Sequence, residues 1–169
     1  MFDNYKGAVD DQTLGDKLLN YKFEEVCADP IPANWLEKTS WKSYPIRNQN
    51  GSSQCVCMTL ATEMGIIFNQ KYDAWIDFSS SFPYKQRGNT NQGGCTSSDV
   101  YTIFPKIGDV FESVMPSQNM HEAEVDALDL KNYYKDLAIP FSVKRIELPV
   151  SFETVASTIQ ATGKGVMLW

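Results

Sequence analysis

The chain has 169 residues, of which 43% are hydrophobic and 12% aromatic, enough for the packed core of one domain or of two small lobes. Its 21 acidic residues outnumber its 15 basic residues, and the net charge of −6 argues against a nucleic-acid-binding surface. The sequence has no apolar run of the roughly 18 residues that a membrane span requires and no signal-peptide pattern, so we expect an intracellular protein.

Cysteine usage agrees with a reducing compartment. The four cysteines do not form the dense framework of small secreted proteins, and we interpret them as free thiols, with a Cys27–Cys95 bridge left open. Cys55 and Cys57 are separated by one residue, and the sequence contains a single histidine, which makes a poor zinc set. We therefore expect no metal and no cofactor.

The N-terminal half predicts an acidic arm followed by one long helix. Within residues 1–29, apolar residues at helical spacing predict a short helix over 14–23. Residues 30–41 contain two prolines and two tryptophans, which favour an extended segment. From Cys55, apolar residues recur at helical spacing to about Gln70, which predicts a helix with one buried face.

The C-terminal half alternates polar loops with short elements. Residues 79–99 are a polar, Gly- and Asn-rich loop of a length that often carries function. The remaining predictions, in chain order, are a helix over 98–104 that ends at Pro105, a turn at Gly108, an amphipathic element over 122–137, a strand over 142–148, a helix capped by Ser151 that runs to Ala161 and ends at Gly163, and a buried strand formed by the final GVMLW.

Segment 49–61, QNGSSQCVCMTLA, is the most informative part of the chain. Its polar, turn-prone start passes at Cys55 into the helical pattern. A cysteine in the first turn of a helix lies near unpaired backbone N–H groups and the positive end of the helix dipole, which favour a thiolate. Gln49, six residues earlier, could direct its amide N–H to an oxyanion beside that sulfur. We predict Cys55 as a nucleophile, with a buried structural cysteine as the alternative.

These motifs resemble those of the papain-like cysteine peptidases. The run PIPANWLEKTSWKSYPIRNQ, from Pro30 to Gln49, is similar to the mature start of that family. The spacing from Gln49 to Cys55 matches the family spacing from the oxyanion-hole glutamine to the nucleophile. Gly93-Gly94 resembles the glycine pair that lines the family's substrate groove, where absent side chains let a peptide backbone approach.

The resemblance implies an α+β fold with two lobes. After an N-terminal arm, residues 1–29, a helical lobe over 30–137 would hold the nucleophile, and 138–169 would begin a β-rich lobe. The implied activity is peptide-bond hydrolysis, in which Cys55 attacks the scissile carbonyl and Gln49 helps to stabilise the oxyanion. The implied substrate is a peptide or protein.

The sequence departs from the family pattern in several places. The residue after the nucleophile, usually tryptophan, is Val56, as in the divergent prokaryotic and phage branch. Ser52 and Asn91 occupy the positions of the family's first disulfide, so both of its cysteines are missing. The family's catalytic histidine and orienting asparagine lie beyond the strand that GVMLW resembles. The single histidine, His121, lies in an acidic connection, and we expect an exposed loop residue rather than the base.

A thiol without an imidazole partner stays largely protonated, and nothing then protonates the leaving amine. We therefore expect the base to come from sequence after Trp169 or from a partner chain, either of which would complete the β lobe. The location would be the cytoplasm or a virion. Two alternatives stay open: a non-catalytic papain-like structural or binding module, for example a phage virion protein, and a thiol-based transferase such as an amidase or transglutaminase relative.

Overall fold

The computed structural model describes residues 44–90, 92–149 and 151–167, together with the backbone of two short strands near the N-terminus. The helices and strands of this part of the chain are β1 (Ala8–Val9), β2 (Tyr21–Lys22), α1 (Cys55–Tyr72), α2 (Ser81–Tyr84), β3 (Cys95–Thr96), α3 (Ser97–Lys106), α4 (Glu122–Ala127), α5 (Tyr134–Ala138) with a 3₁₀ turn (Ile139–Phe141), β4 (Ile146–Glu147) and α6 (Phe152–Thr162).

The strands form two separate parallel pairs. β1 pairs with β3, and β2 pairs with β4. Each pair is two residues long, and the described residues contain no larger sheet. Helices and strands are both present, which agrees with the α+β prediction at that coarse level, and helices make up most of the regular structure.

Helix α1 buries one face, as its spacing predicted. Ala61 and Met64 form an apolar cluster with Phe78 and with Ile103 and Phe104 of α3. Burying each large apolar side chain contributes about 1.5–3 kcal/mol relative to leaving it exposed. Cys55, the predicted nucleophile, therefore lies at the start of a helix that packing holds in place.

Gly65 packs closely against the segment that follows α1. A Cβ at this position would lie 2.9 Å from the Trp75 ring and 3.0 Å from the Ile76 carbonyl oxygen. The helix ends at Asp73, whose left-handed backbone (φ 53°) lets its N–H donate to the Asn69 carbonyl.

Helix α3 begins with a capping box. Thr96 Oγ1 accepts the Asp99 N–H (3.1 Å), and the Asp99 carboxylate accepts the Thr96 N–H (3.1 Å). The helix continues to Lys106, one residue past the end predicted at Pro105, because a proline in the last turn removes only its own N–H from the ladder. The predicted turn at Gly108 is present, with φ 81°.

Two helices replace the single amphipathic element predicted over 122–137. Leu128 has an extended backbone (φ −62°, ψ 136°), which ends α4 before α5 begins. Its side chain nevertheless packs against two further apolar clusters of the core. The apolar spacing therefore reflects two helices that cover neighbouring parts of the core.

Two further predictions near the sheet pairs are wrong in part. The strand predicted over 142–148 is reduced to β4, because most side chains in this stretch are exposed and offer little apolar surface for a longer pairing. The helix predicted over 14–23 is not formed at Tyr21–Lys22, which belong to β2. The rest of that predicted helix and the extended segment 30–41 lie outside the described residues.

Helix α6 begins and ends as predicted, but the strand after it is absent from the described residues. Ser151 caps its start through its side-chain oxygen, and Gly163, with φ 66°, ends it. Gly165 then donates its N–H to Glu63 Oε1 (2.8 Å) on α1 rather than to a neighbouring strand. Residues 165–167 are therefore not the predicted strand, and the last two residues lie outside the described part.

Candidate nucleophile site

A tight turn fixes the backbone of Gln49. Asn50 and Gly51 both have positive φ, 46° and 82°, and Ser52 donates its N–H to the Gln49 carbonyl (3.0 Å). Positive φ at both central residues is typical of a type I′ turn, which an Asn-Gly pair adopts readily. Ser52 Oγ donates to the same carbonyl (2.8 Å). Two donors on one oxygen hold Gln49 at a defined place before α1.

Gln54 anchors the turn and the start of α1 in the core. The side chain is fully buried, and its Nε2 donates to Ser52 Oγ (2.9 Å). Its Oε1 accepts the hydroxyls of Ser80 and Ser81, each at 3.1 Å. An amide buried without such partners would be costly, so these bonds stabilise one orientation of the residue next to Cys55.

Gln49 and Cys55 line the same open cleft, which has a volume of about 550 Å³. Cys55 is partly exposed, and the first turn of α1 contains no acidic side chain that would oppose a negative charge there. The structure therefore brings together the two residues predicted as catalytic. The other walls of the cleft are formed by Pro45, Ile46, Arg47, Asn48, Met58, Thr59, Thr62 and Glu63.

The predicted substrate-binding glycines, Gly93 and Gly94, do not line the cleft. Gly94 is buried, has φ 92°, and donates its N–H to the Tyr84 hydroxyl (3.2 Å). The thiol of the next residue, Cys95, lies 3.8 Å from the Cys57 thiol of α1. Gly93 is half-buried, and neither glycine is among the residues that line the cleft. The pair therefore lies next to a residue that contacts α1, but it is not part of the cleft wall.

Cys57 is a core residue. Its side chain is fully buried, and a hydrogen bond with the Cys95 thiol together with burial raises the pKa of Cys57 well above its ordinary value. A buried thiol of raised pKa is a poor nucleophile, which leaves Cys55 as the accessible candidate among the described cysteines. Cys27, the other partner considered for Cys95, lies outside the described residues.

The imidazole of His121 approaches the turn but not the sulfur. His121 is exposed, and its Nε2 lies 3.3 Å from Asn50 Nδ2. The backbone N–H of His121 donates to the Glu124 carboxylate (2.7 Å) at the start of α4. The hydrogen bonds within the described part of the chain do not join His121 to Cys55. A nucleophile–base pair of the usual reach is therefore not formed between these two residues.

The segment before α4 supports the turn from outside, a feature that the sequence did not predict. Asn119 donates its N–H to the Asn48 carbonyl (2.9 Å), and Asn50 Nδ2 donates to the Asn119 carbonyl (2.9 Å). Gln118 Oε1 accepts the Asn48 N–H (3.3 Å). These contacts cross about 70 positions of sequence, so no local signal marks them.

Within the described residues, no group of three or more His, Cys, Asp or Glu side chains could hold a metal ion. The helices of that part are all too short or too polar to cross a membrane. No protein-family model matches the sequence, and a comparison with curated proteins finds no match. The site therefore has to be interpreted from its own residues and geometry.

Proposed function

We propose that this chain carries the nucleophile of a papain-like cysteine peptidase. The observation that supports the proposal most is the shared cleft of Gln49 and Cys55, with the Cys55 sulfur at the start of a long helix and the Gln49 backbone held by a tight turn. In this proposal the helices around α1 belong to the helical lobe of a two-lobe fold, and the chain from residue 138 begins the second lobe.

The proposed reaction begins when Cys55 Sγ attacks the scissile carbonyl carbon. The carbonyl oxygen then becomes an oxyanion, and the Gln49 amide and the Cys55 backbone N–H donate hydrogen bonds to it. In other hydrolases the loss of one such donor costs about 10²–10³ in kcat. The positive end of the α1 dipole adds to the stabilisation of negative charge at this place. Of the glycine pair, the half-buried Gly93 would pair with the substrate backbone where the peptide leaves the cleft, since Gly94 is buried and its N–H is already bound by Tyr84.

The proposed mechanism also needs an imidazole that accepts the Cys55 proton and returns it to the leaving amine. His121 does not provide this imidazole, because its ring contacts Asn50 rather than the Cys55 sulfur. We propose that the imidazole comes from a further part of the protein or from a partner chain and enters the open cleft beside Cys55. That partner would also cover the exposed wall of the cleft, where Ile46 is 99% exposed.

Labelling with a peptidyl epoxide tests the proposal. We expect Cys55 of the folded protein to react at least about tenfold faster than the same cysteine in a free peptide of residues 49–61 when both are labelled at about pH 9, where free thiols are largely ionised without an imidazole, because the fold orients the sulfur and the peptide does not. Peptide mapping by mass spectrometry would locate the adduct, and Cys55→Ser is the control. A folded protein that reacts no faster than the free peptide would contradict the proposal.

One observation favours a second candidate, a non-catalytic peptide-binding or structural module of the same fold. The contact between His121 and Asn50 leaves Cys55 without an imidazole partner among the described residues. In that case Cys55→Ala would leave peptide binding unchanged in calorimetry, and the Cys55 thiol would show no preference for the peptidyl epoxide over iodoacetamide.

A further inference from the structure

Glu122 lies where three segments of the chain meet. Its Oε2 accepts the Ser53 N–H (2.6 Å), two residues before Cys55. Its Oε1 accepts the Tyr84 hydroxyl of α2 and lies 3.7 Å from Arg87 Nη2. One carboxylate thus contacts the nucleophile turn and α2 from the first residue of α4.

Tyr84 extends these contacts to the glycine pair. Its hydroxyl donates to Glu122 and accepts the Gly94 N–H (3.2 Å). The residue is fully buried, and the Arg87 guanidinium stacks 3.6 Å above the ring centroid, which fixes the ring plane. Burial and the bond to Glu122 raise the pKa of Tyr84, so the hydroxyl remains a donor at neutral pH.

These bonds form one continuous connection, which we call the clasp: Ser53 N–H to Glu122, Tyr84 O–H to Glu122, and Gly94 N–H to Tyr84. The clasp joins Ser53, two residues before Cys55, to Gly94, the second residue of the glycine pair. Two of its bonds end on a charged oxygen, and such bonds are shorter and stronger than neutral ones.

We propose that the clasp sets the distance between Cys55 and the half-buried backbone of Gly93, which makes Tyr84 and Glu122 positioning residues for a bound peptide. The positioning of a peptide rests on the proposed function, whereas the clasp itself does not. A peptide that leaves the cleft and pairs with the Gly93 backbone is held at the sulfur only if both loops keep their spacing, and a misplacement of about 1 Å can cost about 10²-fold in rate.

Amide hydrogen exchange measured by NMR tests the clasp in the full chain. Tyr84→Phe removes the hydroxyl and keeps the ring. We expect the Gly94 amide to exchange about two- to tenfold faster, the range that one lost hydrogen bond gives, and the Ser53 amide to follow as Glu122 loses a partner. The Met64 amide inside α1 serves as the reference for global stability, and Tyr72→Phe, a half-exposed tyrosine at the end of α1, is the matched control.

If Tyr84→Phe does not fold, Glu122→Leu keeps a side chain of similar size and removes both acceptor oxygens, and the Ser53 amide is then the reporter. Unchanged exchange at Gly94 in a folded Tyr84→Phe protein, or unchanged exchange at Ser53 in Glu122→Leu, would overturn the clasp.

Inactivation kinetics separate positioning from mere stability. In Tyr84→Phe, the concentration of peptidyl epoxide that gives half-maximal inactivation should rise about 10- to 100-fold, while the rate of alkylation by iodoacetamide, which needs no backbone pairing, stays unchanged. Equal changes with both reagents would indicate a structural role only and overturn the positioning. If the peptidyl epoxide did not label Cys55 of the wild-type protein, the proposed function would be refuted. The hydrogen-exchange experiment would still show whether the clasp is formed.

Discussion

Asp109 is a fully buried carboxyl group with only one of its two oxygens engaged. Oδ1 accepts the Val110 N–H (2.8 Å), and Oδ2 has no hydrogen-bond partner among the described residues. Burial raises the pKa of Asp109 well above 3.8, with the Val110 N–H and the Arg47 guanidinium opposing that shift. Because the folded state then binds this proton more tightly than the unfolded state, stability falls as the pH rises from about 4 toward the pKa of the folded state.

Replacing Asp109 by Asn therefore removes a pH-dependent cost. The free energy of unfolding of the wild type should fall relative to that of Asp109→Asn above pH 4, by up to about 1.4 kcal/mol per pH unit. Urea unfolding at a series of pH values measures both proteins. Asp136→Asn, at an exposed position on α5, should follow the wild type. Parallel curves for the wild type and Asp109→Asn would show that burial imposes no such cost.

The sequence predicted residues whose signals are local. Gln49 and Cys55 were recognisable because a polar turn and a helix start lie within seven residues, and that spacing needs no tertiary information. Gln54, Tyr84 and Glu122 were not predicted, because their partners are distant in sequence. Tyr84 and Glu122, for example, are 38 positions apart and meet only after α2 and α4 have packed.

Among the elements, α3 begins with a capping box that also contacts the preceding loop. Thr96 and Asp99 cap each other, and Asp99 Oδ1 also accepts the Gly88 N–H (2.7 Å) from the preceding loop. The capping box therefore links the loop to the helix as well as satisfying the first N–H groups of α3.

Thr96→Ala should lower the free energy of unfolding by about 0.5–2 kcal/mol, since the Asp99 N–H loses its acceptor. Thermal unfolding followed by circular dichroism measures the change. Thr102→Ala, on an exposed position of the same helix, controls for the change in helix propensity. If both variants were equally stable, the capping box would not contribute at α3.

Helices with local caps were predicted better than strands. The start of α3 and both ends of α6 lie within one residue of the predicted positions, because capping side chains and a glycine act on their own neighbours. β4 could not be bounded in this way, because its partner β2 comes from the opposite end of the chain. The break between α4 and α5 depends on packing of Leu128 against two clusters, which spacing alone does not encode.

At the scale of the whole molecule, three apolar clusters surround α1, α3 and the segments that follow them. The cleft runs along the first half of α1 and remains open. An open cleft agrees with the proposal, in which Cys55 and the turn before it supply the nucleophile and the oxyanion donor, and a second lobe or partner supplies the imidazole.

Gln49 and Cys55 are proposed to act on the same carbonyl oxygen and carbon, and a peptide aldehyde reports this directly. Addition of Cys55 Sγ to the aldehyde gives a hemithioacetal whose oxygen can accept a hydrogen bond from Gln49. Calorimetry at about pH 9, where free thiols are largely ionised, measures its affinity.

The prediction is that Gln49→Ala weakens aldehyde binding by about 10²–10³-fold and leaves alkylation of Cys55 by iodoacetamide unchanged, because alkylation creates no oxyanion. Cys55→Ala should abolish aldehyde binding, and Thr62→Ala, in the wall of the same cleft, should bind like the wild type. A Gln49→Ala protein that binds the aldehyde as tightly as the wild type would contradict the assignment of the site.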